Sequence, residues 1–161
     1  MSKITPCLWF ERDAEEAANF YVSLLPDSRI EHVQKNVSDG PSGKEGTVLV
    51  VYFTLAGQTL MALNGGEKME YGYAMSLMID CADQAEVDRL WDALLTGGKP
   101  EQCGWLRDRY GVPWQITPRV LPRLLADPDP EKARRVMQAM MGMVKIDVAG
   151  LEAAARGETA R

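Results

Sequence analysis

The length, composition and charge of the chain limit its function. Its 161 residues, 46% hydrophobic and 25% charged, are typical of a folded globular domain with a hydrophobic core. A formal net charge of −5 argues against sequence-independent binding of nucleic acid, which needs Lys and Arg side chains that neutralise phosphates. No apolar run approaches the roughly 20 residues of a membrane-spanning helix, and residues 1–10 lack the pattern of a signal peptide. We therefore expect a cytoplasmic protein without nucleic-acid or membrane partners.

The three cysteines are odd in number and far apart in the sequence: Cys7, Cys81 and Cys103. Because they form no C-x-x-C pair, their spacing does not predict a zinc site or a redox-active dithiol. We expect three reduced thiols.

The beginning of the chain is predicted to fold as a strand, a helix and three more strands. An apolar run predicts a strand over residues 4–10, and an amphipathic helix follows between Asp13, a suitable N-cap, and Pro26. Residues 64–66, with two glycines, predict a lid over a cleft. The further apolar runs predict strands over residues 29–36, 47–55 and 58–63.

The same order of elements recurs farther along the chain. A predicted strand over residues 74–81 precedes an amphipathic helix that begins after Asp83 and ends before Gly97. Shorter apolar runs then predict strands over residues 99–105, 106–110 and 114–117.

The two predicted helices align without gaps at an offset of 70 residues. Because the helices also share their neighbouring elements, the sequence predicts an α+β fold of two βαβββ modules. We expect the modules, at about 3–66 and 73–118, to form one domain over residues 1–118. The identical pairs are Asp13/Asp83, Glu16/Glu86, Leu24/Leu94 and Leu25/Leu95.

Residues 119–161 are predicted to be a helical extension. A short helix over Val120–Leu125 is followed by a longer helix that begins near Glu131, after a proline-rich cap. Methionines at helical spacing predict a stripe on the longer helix that packs in the core or docks onto a partner subunit. The stripe consists of Met137, Met140, Met141 and Met143.

Five segments carry a resemblance to a known family. They are residues 4–10, 14–17 together with Phe20 and Tyr21, 61–66, 103–116, and 140–147. With the paired modules, these segments resemble the glyoxalase, bleomycin-resistance and extradiol-dioxygenase superfamily, called vicinal oxygen chelate, and its PhnB-like branch in particular. The resemblance implies a ligand cleft and a homodimer. Members of this branch are often labelled 3-demethylubiquinone-9 3-methyltransferases.

That label implies a bound S-adenosylmethionine. Such a cofactor usually lies on a glycine-rich turn after the first strand of a doubly wound sheet. Here the first predicted strand runs into Glu11, Arg12 and Asp13 without a glycine. We therefore interpret the label as an inherited name and keep methyl transfer as an alternative.

The resemblance also implies where metal-using relatives hold a divalent ion, near the first and last strands of each module. Counting back from the helix caps places the first-strand positions at Pro6 and Ser76, and the last-strand positions fall near Asn64 and Gln115. None of these residues carries a carboxylate or an imidazole, and the single histidine, His32, lies outside these positions. We expect no metal and no cofactor, with a divalent metal as the alternative.

Cys103 is the weak candidate for a catalytic nucleophile, because a neighbouring Arg or Lys can stabilise a thiolate. A buried thiol that packs as a small apolar side chain is the competing interpretation.

We predict that the cleft binds or sequesters a small organic molecule. Amide and hydroxyl groups orient such a ligand, an indole covers it, and a carboxylate anchors it. An enzyme, using a metal or Cys103, is the second hypothesis, and a vestigial cleft filled by side chains is the third. The predicted ligand-binding residues are Asn64, Ser76, Trp105, Asp108 and Gln115.

Overall fold

A computed structural model describes residues 3–158, and these residues form two compact units, with the boundary in the chain between Glu70 and Tyr71. Each unit contains one four-stranded mixed sheet and a helix that follows the first strand of that sheet. The predicted α+β fold of two βαβββ modules is therefore confirmed. The C-terminal helices belong to the second unit.

The first unit has the strand order β1-β4-β3-β2, with β1 parallel to β4 and the other neighbours antiparallel. The strand after a helix crossover returns parallel to the first strand, whereas hairpins return antiparallel. Its elements are β1 (Cys7–Phe10), α1 (Ala14–Val22), β2 (Arg29–Lys35), β3 (Val48–Leu55) and β4 (Gln58–Asn64).

The second unit repeats this topology with the order β5-β8-β7-β6, and β5 is parallel to β8. Three helices follow its sheet. Its elements are β5 (Leu77–Cys81), α2 (Gln84–Leu95), β6 (Lys99–Pro100), β7 (Trp105–Arg107), β8 (Pro113–Pro118), α3 (Val120–Leu125), α4 (Pro130–Met141) and α5 (Val148–Ala155).

Each sheet buries one face against its own helix. Helix α1 packs on β3 and β4 through small residues and Tyr21, and α2 packs on β7 and β8 through a stripe of aliphatic side chains and Trp91. Because side chains alternate along a strand, the opposite face of each sheet carries the less buried residues. We call this the open face. The fully buried side chains include Tyr21, Phe53, Leu90, Leu94, Leu106 and Ile116.

The two helices differ in how they begin and end. Asp83 caps α2 as predicted, since its side chain accepts a hydrogen bond from the Glu86 backbone N–H at 2.9 Å. Asp13 occupies the predicted N-cap position of α1, but its side chain makes no capping hydrogen bond. Helix α1 also ends at Val22, earlier than the sequence alignment predicts, whereas α2 continues to Leu95.

The first strand after α2 is shorter than predicted, and a turn occupies the rest of the predicted segment. The strand predicted over residues 99–105 is limited to Lys99–Pro100, because a turn follows it. In that turn Cys103 and Gly104 have φ angles of 59° and 82°, which end the extended conformation.

The C-terminal helices have a hydrophobic core of their own, formed by Leu121, Val136, Ile146, Leu151 and Ala155. Helix α3 has the predicted bounds, but α5 was not predicted, and α4 ends at Met141 before Gly142. The methionine stripe is therefore divided. Two members, Met140 and Met143, pack against the core, while Met137 and Met141 are 42% and 62% exposed.

In the stretch from residue 3 to residue 158, none of the helices combines the length and apolarity needed to cross a bilayer.

Candidate functional site

Three of the predicted ligand-binding residues lie on the open face of the second sheet. Trp105 on β7 is in register with Gln115 on β8, and Gln115 is in register with Met78 on β5. The Gln115 side-chain amide donates a hydrogen bond to the Ser76 hydroxyl at 2.9 Å. Ser76, Gln115 and Trp105 therefore form one continuous polar and aromatic strip.

A pocket of about 420 Å³ opens beside this strip, at the turn between β6 and β7. Its walls are Tyr73, Glu101, Gln102 and Trp105, and the exposed surface of these walls is mostly apolar. The turn is closed by two backbone hydrogen bonds between Trp105 and the residues Glu101 and Gln102, at 2.9 and 3.1 Å. The pocket is therefore held by hydrogen-bonded backbone.

Glu101 is the only acidic residue among these walls, and only one of its oxygens is hydrogen-bonded. Oε1 accepts a hydrogen bond from the Tyr73 hydroxyl at 2.5 Å and one from Arg107 Nε at 3.0 Å. Within residues 3–158, Oε2 is buried and has no hydrogen-bond partner. A buried carboxylate oxygen without a donor is costly, so Oε2 is an unsatisfied acceptor at this pocket.

Arg107 fixes the position of this carboxylate and of the tyrosine ring. Its Nη1 donates to the Tyr71 carbonyl at 2.6 Å, and its guanidinium carbon lies 4.5 Å from the centre of the Tyr73 ring. Hydrogen bonding to Tyr73, and then to Glu101, raises the pKa of Arg107. The arginine is therefore a permanent cation paired with Glu101.

The aromatic rings of Tyr73 and Trp105 meet edge to face, with centres 6.1 Å apart and planes at 62°. Tyr73 is 61% exposed, so this pair presents apolar surface to solvent. Such a corner of two rings suits a flat apolar ligand.

The fourth predicted ligand-binding residue, Asp108, is only 3% exposed. Its carboxylate accepts hydrogen bonds from the backbone N–H groups of Tyr110 and Val112 at 2.8 and 3.0 Å, and from Trp114 Nε1 at 2.9 Å. These contacts hold the turn between β7 and β8. Ligand binding by Asp108 stays a prediction, and its observed contacts are structural.

The fifth, Asn64, lies in the first unit and faces α1. Its Oδ1 accepts from the Ala14 backbone N–H at 2.9 Å, and its Nδ2 donates to the Val48 carbonyl at 3.0 Å. Asn64 therefore accepts a hydrogen bond from the first turn of α1, where the Asp13 side chain makes no capping bond. Its role in ligand binding also stays a prediction.

The two glycines after Asn64, in the segment predicted to be a lid, pack closely against other residues of the first unit. A Cβ atom on Gly65 would lie 1.9 Å from the Trp9 indole, and one on Gly66 would lie 1.8 Å from the Pro41 carbonyl oxygen. The Gly65 backbone N–H also donates to the carbonyl of the last residue of β1 at 2.8 Å, and that of Gly66 donates to the carbonyl of the next residue at 3.1 Å. Close approach to Trp9 and Pro41 explains both glycines.

The metal positions deduced from the 70-residue offset do not correspond in the structure. Two residues separate β1 from the N-cap of α1, but only one separates β5 from that of α2. The buried strand residues Leu8 and Ile79 are consequently 71 residues apart. Successive side chains point to opposite faces, and Cys7 lies on the open face of the first sheet, so the neighbouring Pro6 lies on the helix side. Ser76, in contrast, lies on the open face of the second sheet.

These four positions do not fit a divalent ion. The Asn64 amide is occupied by backbone groups, and Gln115 is bonded to Ser76, so neither presents a free strong ligand. Across the described residues, no group of three or more His, Cys, Asp or Glu side chains is arranged to hold a metal.

Cys103 lies in the turn before Trp105. Its backbone N–H donates to the Met143 carbonyl at 2.8 Å, and that of Gly104 donates to the Val144 carbonyl at 2.7 Å. The turn is therefore anchored to the segment between α4 and α5. A catalytic role for Cys103 stays a prediction.

The open face of the first sheet carries a row of residues that the sequence did not single out as a group. The strand register places Cys7, Met61, Tyr52 and His32 side by side across all four strands. Cys7 is exposed, and partial burial of its thiol raises the pKa of that group. Cys7 and His32 lie at opposite ends of the row, roughly 14 Å apart at the usual strand spacing, which is too far for a catalytic pair.

Sequence reasoning missed Tyr73, Glu101 and Arg107 as partners of Trp105. Tyr73 lies in an irregular segment, and Glu101 lies in a stretch that was predicted to be a strand. The available signal was the alternation that puts Trp105 and Arg107 on one face of β7.

Comparison with known proteins places the chain in a family. The family model described as 3-demethylubiquinone-9 3-methyltransferase matches residues 2–117. A PhnB protein from Bacillus cereus has 39% identity and a TM-score of 0.65, covering 73% of this chain and 99% of its own. No curated protein matches the sequence significantly.

Two more distant structures are also similar. A Pseudomonas aeruginosa protein has 20% identity and a TM-score of 0.61, covering 73% of this chain and 98% of its own, which shows a shared fold. A glyoxylase/bleomycin resistance protein/dioxygenase domain from Frankia sp. has 12% identity and a TM-score of 0.42, covering 73% and 92%. The family match and the 39% identity are decisive. The chain therefore belongs to the PhnB-like 3-demethylubiquinone-9 3-methyltransferase family.

Proposed function

We propose that this protein binds a small organic molecule non-covalently in the pocket formed by Tyr73, Glu101, Gln102 and Trp105. The observation that carries the proposal is the pocket itself, which combines mostly apolar walls, two aromatic rings and one carboxylate with a buried, unpartnered oxygen. Its volume of about 420 Å³ lies in the range of small-molecule sites.

Binding asks less of these residues than catalysis does. A binding site needs complementary shape and a few oriented polar groups, whereas catalysis needs a group whose proton or charge changes during the reaction. At this pocket Glu101 is paired with Arg107, and in the neighbouring strip Ser76 is bonded to Gln115. These contacts support recognition of a ligand.

The family label favours a second candidate, methyl transfer, but the chain does not fit the usual site for S-adenosylmethionine. Each sheet is mixed and four-stranded, whereas that cofactor usually binds a doubly wound parallel sheet. Residues 11–13 after β1 contain no glycine, and the first backbone N–H of α1 is bonded to Asn64. Tight binding of S-adenosylmethionine in a calorimetric titration would overturn this interpretation.

Fluorescence of N-phenyl-1-naphthylamine tests the binding proposal, because this neutral dye brightens when it leaves water for an apolar site. We expect saturable binding to the wild-type protein. The substitution Trp105→Ala removes one aromatic wall, and it should weaken binding about tenfold.

Met141→Ala is the matched control, because it removes an exposed apolar side chain of the same unit that lies outside the pocket. The control should bind the dye like the wild type. Equal affinities for the wild type and a folded Trp105→Ala variant would contradict the proposal.

A further inference from the structure

The unpartnered Glu101 oxygen indicates what kind of molecule the pocket takes. We infer that the ligand is a flat, uncharged aromatic molecule with an N–H or O–H donor on its edge, and that Glu101 Oε2 accepts this donor. This inference rests on the proposed function of the same pocket.

The hydrogen bonds of the carboxylate decide which of its oxygens is available. Oε1 already accepts from Tyr73 and Arg107, while the buried Oε2 accepts from no group between residues 3 and 158. Glu101 lines the pocket, so its carboxylate lies within reach of a ligand that binds there. A ligand donor there satisfies an acceptor that is otherwise buried without a partner.

The charges at the site favour a neutral donor. Arg107 Nε lies 3.0 Å from Glu101, and both side chains are largely buried, with exposures of 22% and 18%. The guanidinium therefore neutralises the carboxylate at close range. A cationic ligand would meet Arg107 beside Tyr73, and an anionic ligand would meet the carboxylate.

The shape of the pocket favours a flat ring. Trp105 and Tyr73 meet at 62°, so a ring that stacks on one of them contacts the edge of the other. A flat molecule reaches Glu101 with its edge while its face remains on the indole. Apolar contact and the donor are then satisfied together.

The consequence is discrimination between two ligands that differ by one methyl group on the donor. A site built around a hydrogen bond rejects an analogue without the donor, because the acceptor is then left dry and unpaired. We expect indole to bind at least about tenfold more tightly than 1-methylindole.

A proton–nitrogen NMR titration tests this inference. The two ligands are added separately to the 15N-labelled protein, and the indole N–H signal of Trp105, assigned with Trp105→Phe, reports binding at the pocket. Glu101→Gln keeps the shape of the side chain but replaces one oxygen with an NH₂ donor. This variant should lose the preference for indole over 1-methylindole, while Glu152→Gln, a surface change on α5, should retain it.

Four other outcomes are decisive. Equal affinities of indole and 1-methylindole for the wild type would overturn the inference about the donor. The proposal that the pocket binds small molecules would still stand. If Glu101→Gln still prefers indole, another group accepts the hydrogen bond from the ligand, and this result would also overturn the inference. No shift with either indole, when the naphthylamine dye still depends on Trp105, rejects the ligand class alone. Loss of both responses rejects the proposed function.

Discussion

At the residue scale, buried polar side chains are where the sequence was least informative. Asn64 and Asp108 are 6% and 3% exposed, and their partners are backbone N–H and C=O groups or an indole. Sequence patterns identify a polar residue but not the distant group that it bonds, such as Ala14, which is 50 positions before Asn64. Trp91 is 5% exposed, which agrees with its place on the apolar face of α2.

Cys81 gives a prediction about pH at this scale. Burial, and then the nearby carboxylates of Glu86 and Asp80, raises the pKa of the Cys81 thiol from 9.0 to about 12. An unfolded chain loses this proton near pH 9, whereas the folded chain keeps it until about pH 12. The stability that this thiol contributes is therefore complete below pH 9 and is lost as the pH rises towards 12.

Urea unfolding measured at several pH values from 8 to 10.5 checks this expectation. The free energy of unfolding of the wild type should fall more steeply with pH than that of Cys81→Ala, because only the wild type has this thiol. Parallel slopes for the two proteins would show that the thiol has no such effect.

At the element scale, hydrophobic patterns predicted most strands and helices. Strands β2, β3 and β4 and helix α3 lie within a residue of their predicted bounds, because each is a clear apolar run or periodic segment. Helix α5 was missed because it is short, with only eight residues, and contains a glycine. The strand before Trp105 was predicted too long because Cys103 adopts a positive φ, which is uncommon for a residue other than glycine.

The two helix starts give a matched pair of substitutions. Asp83→Ala removes the acceptor for the Glu86 N–H, and it should lower the free energy of unfolding by about 1 kcal/mol. Asp13→Ala removes a side chain that makes no capping bond, and it should change stability by less than about 0.5 kcal/mol. Chemical denaturation measures both, and equal losses would contradict the assignment of the caps.

At the scale of the whole molecule, the internal repeat predicted the architecture that the structure shows. Two units with the same strand order follow from one duplicated pattern. The pocket was not predictable in the same way, because Tyr73 and Trp105 meet across 32 positions of sequence through an irregular segment. Ser76, Trp105 and Gln115 were chosen from the sequence, and they do lie together.

The expected homodimer remains a prediction for the whole molecule. Apolar side chains stay exposed after the C-terminal helices have packed, including Met137, Met141 and Val144. Light scattering coupled to gel filtration at micromolar concentration should give twice the 17.9 kDa mass of one chain. A mass of one chain would show that the protein is a monomer.

The one-residue difference between the two strand–helix connections has a consequence for how duplicated modules diverge. The helices remain 70 residues apart, but the buried strand residues Leu8 and Ile79 are 71 apart. A single inserted or deleted residue thus exchanges the inward and outward sides of a whole strand without moving the helix. After a duplication, one such event gives the strand of one copy a different set of outward-facing side chains from the strand of the other copy. The two halves of a repeat can in this way acquire different surfaces while keeping the same fold.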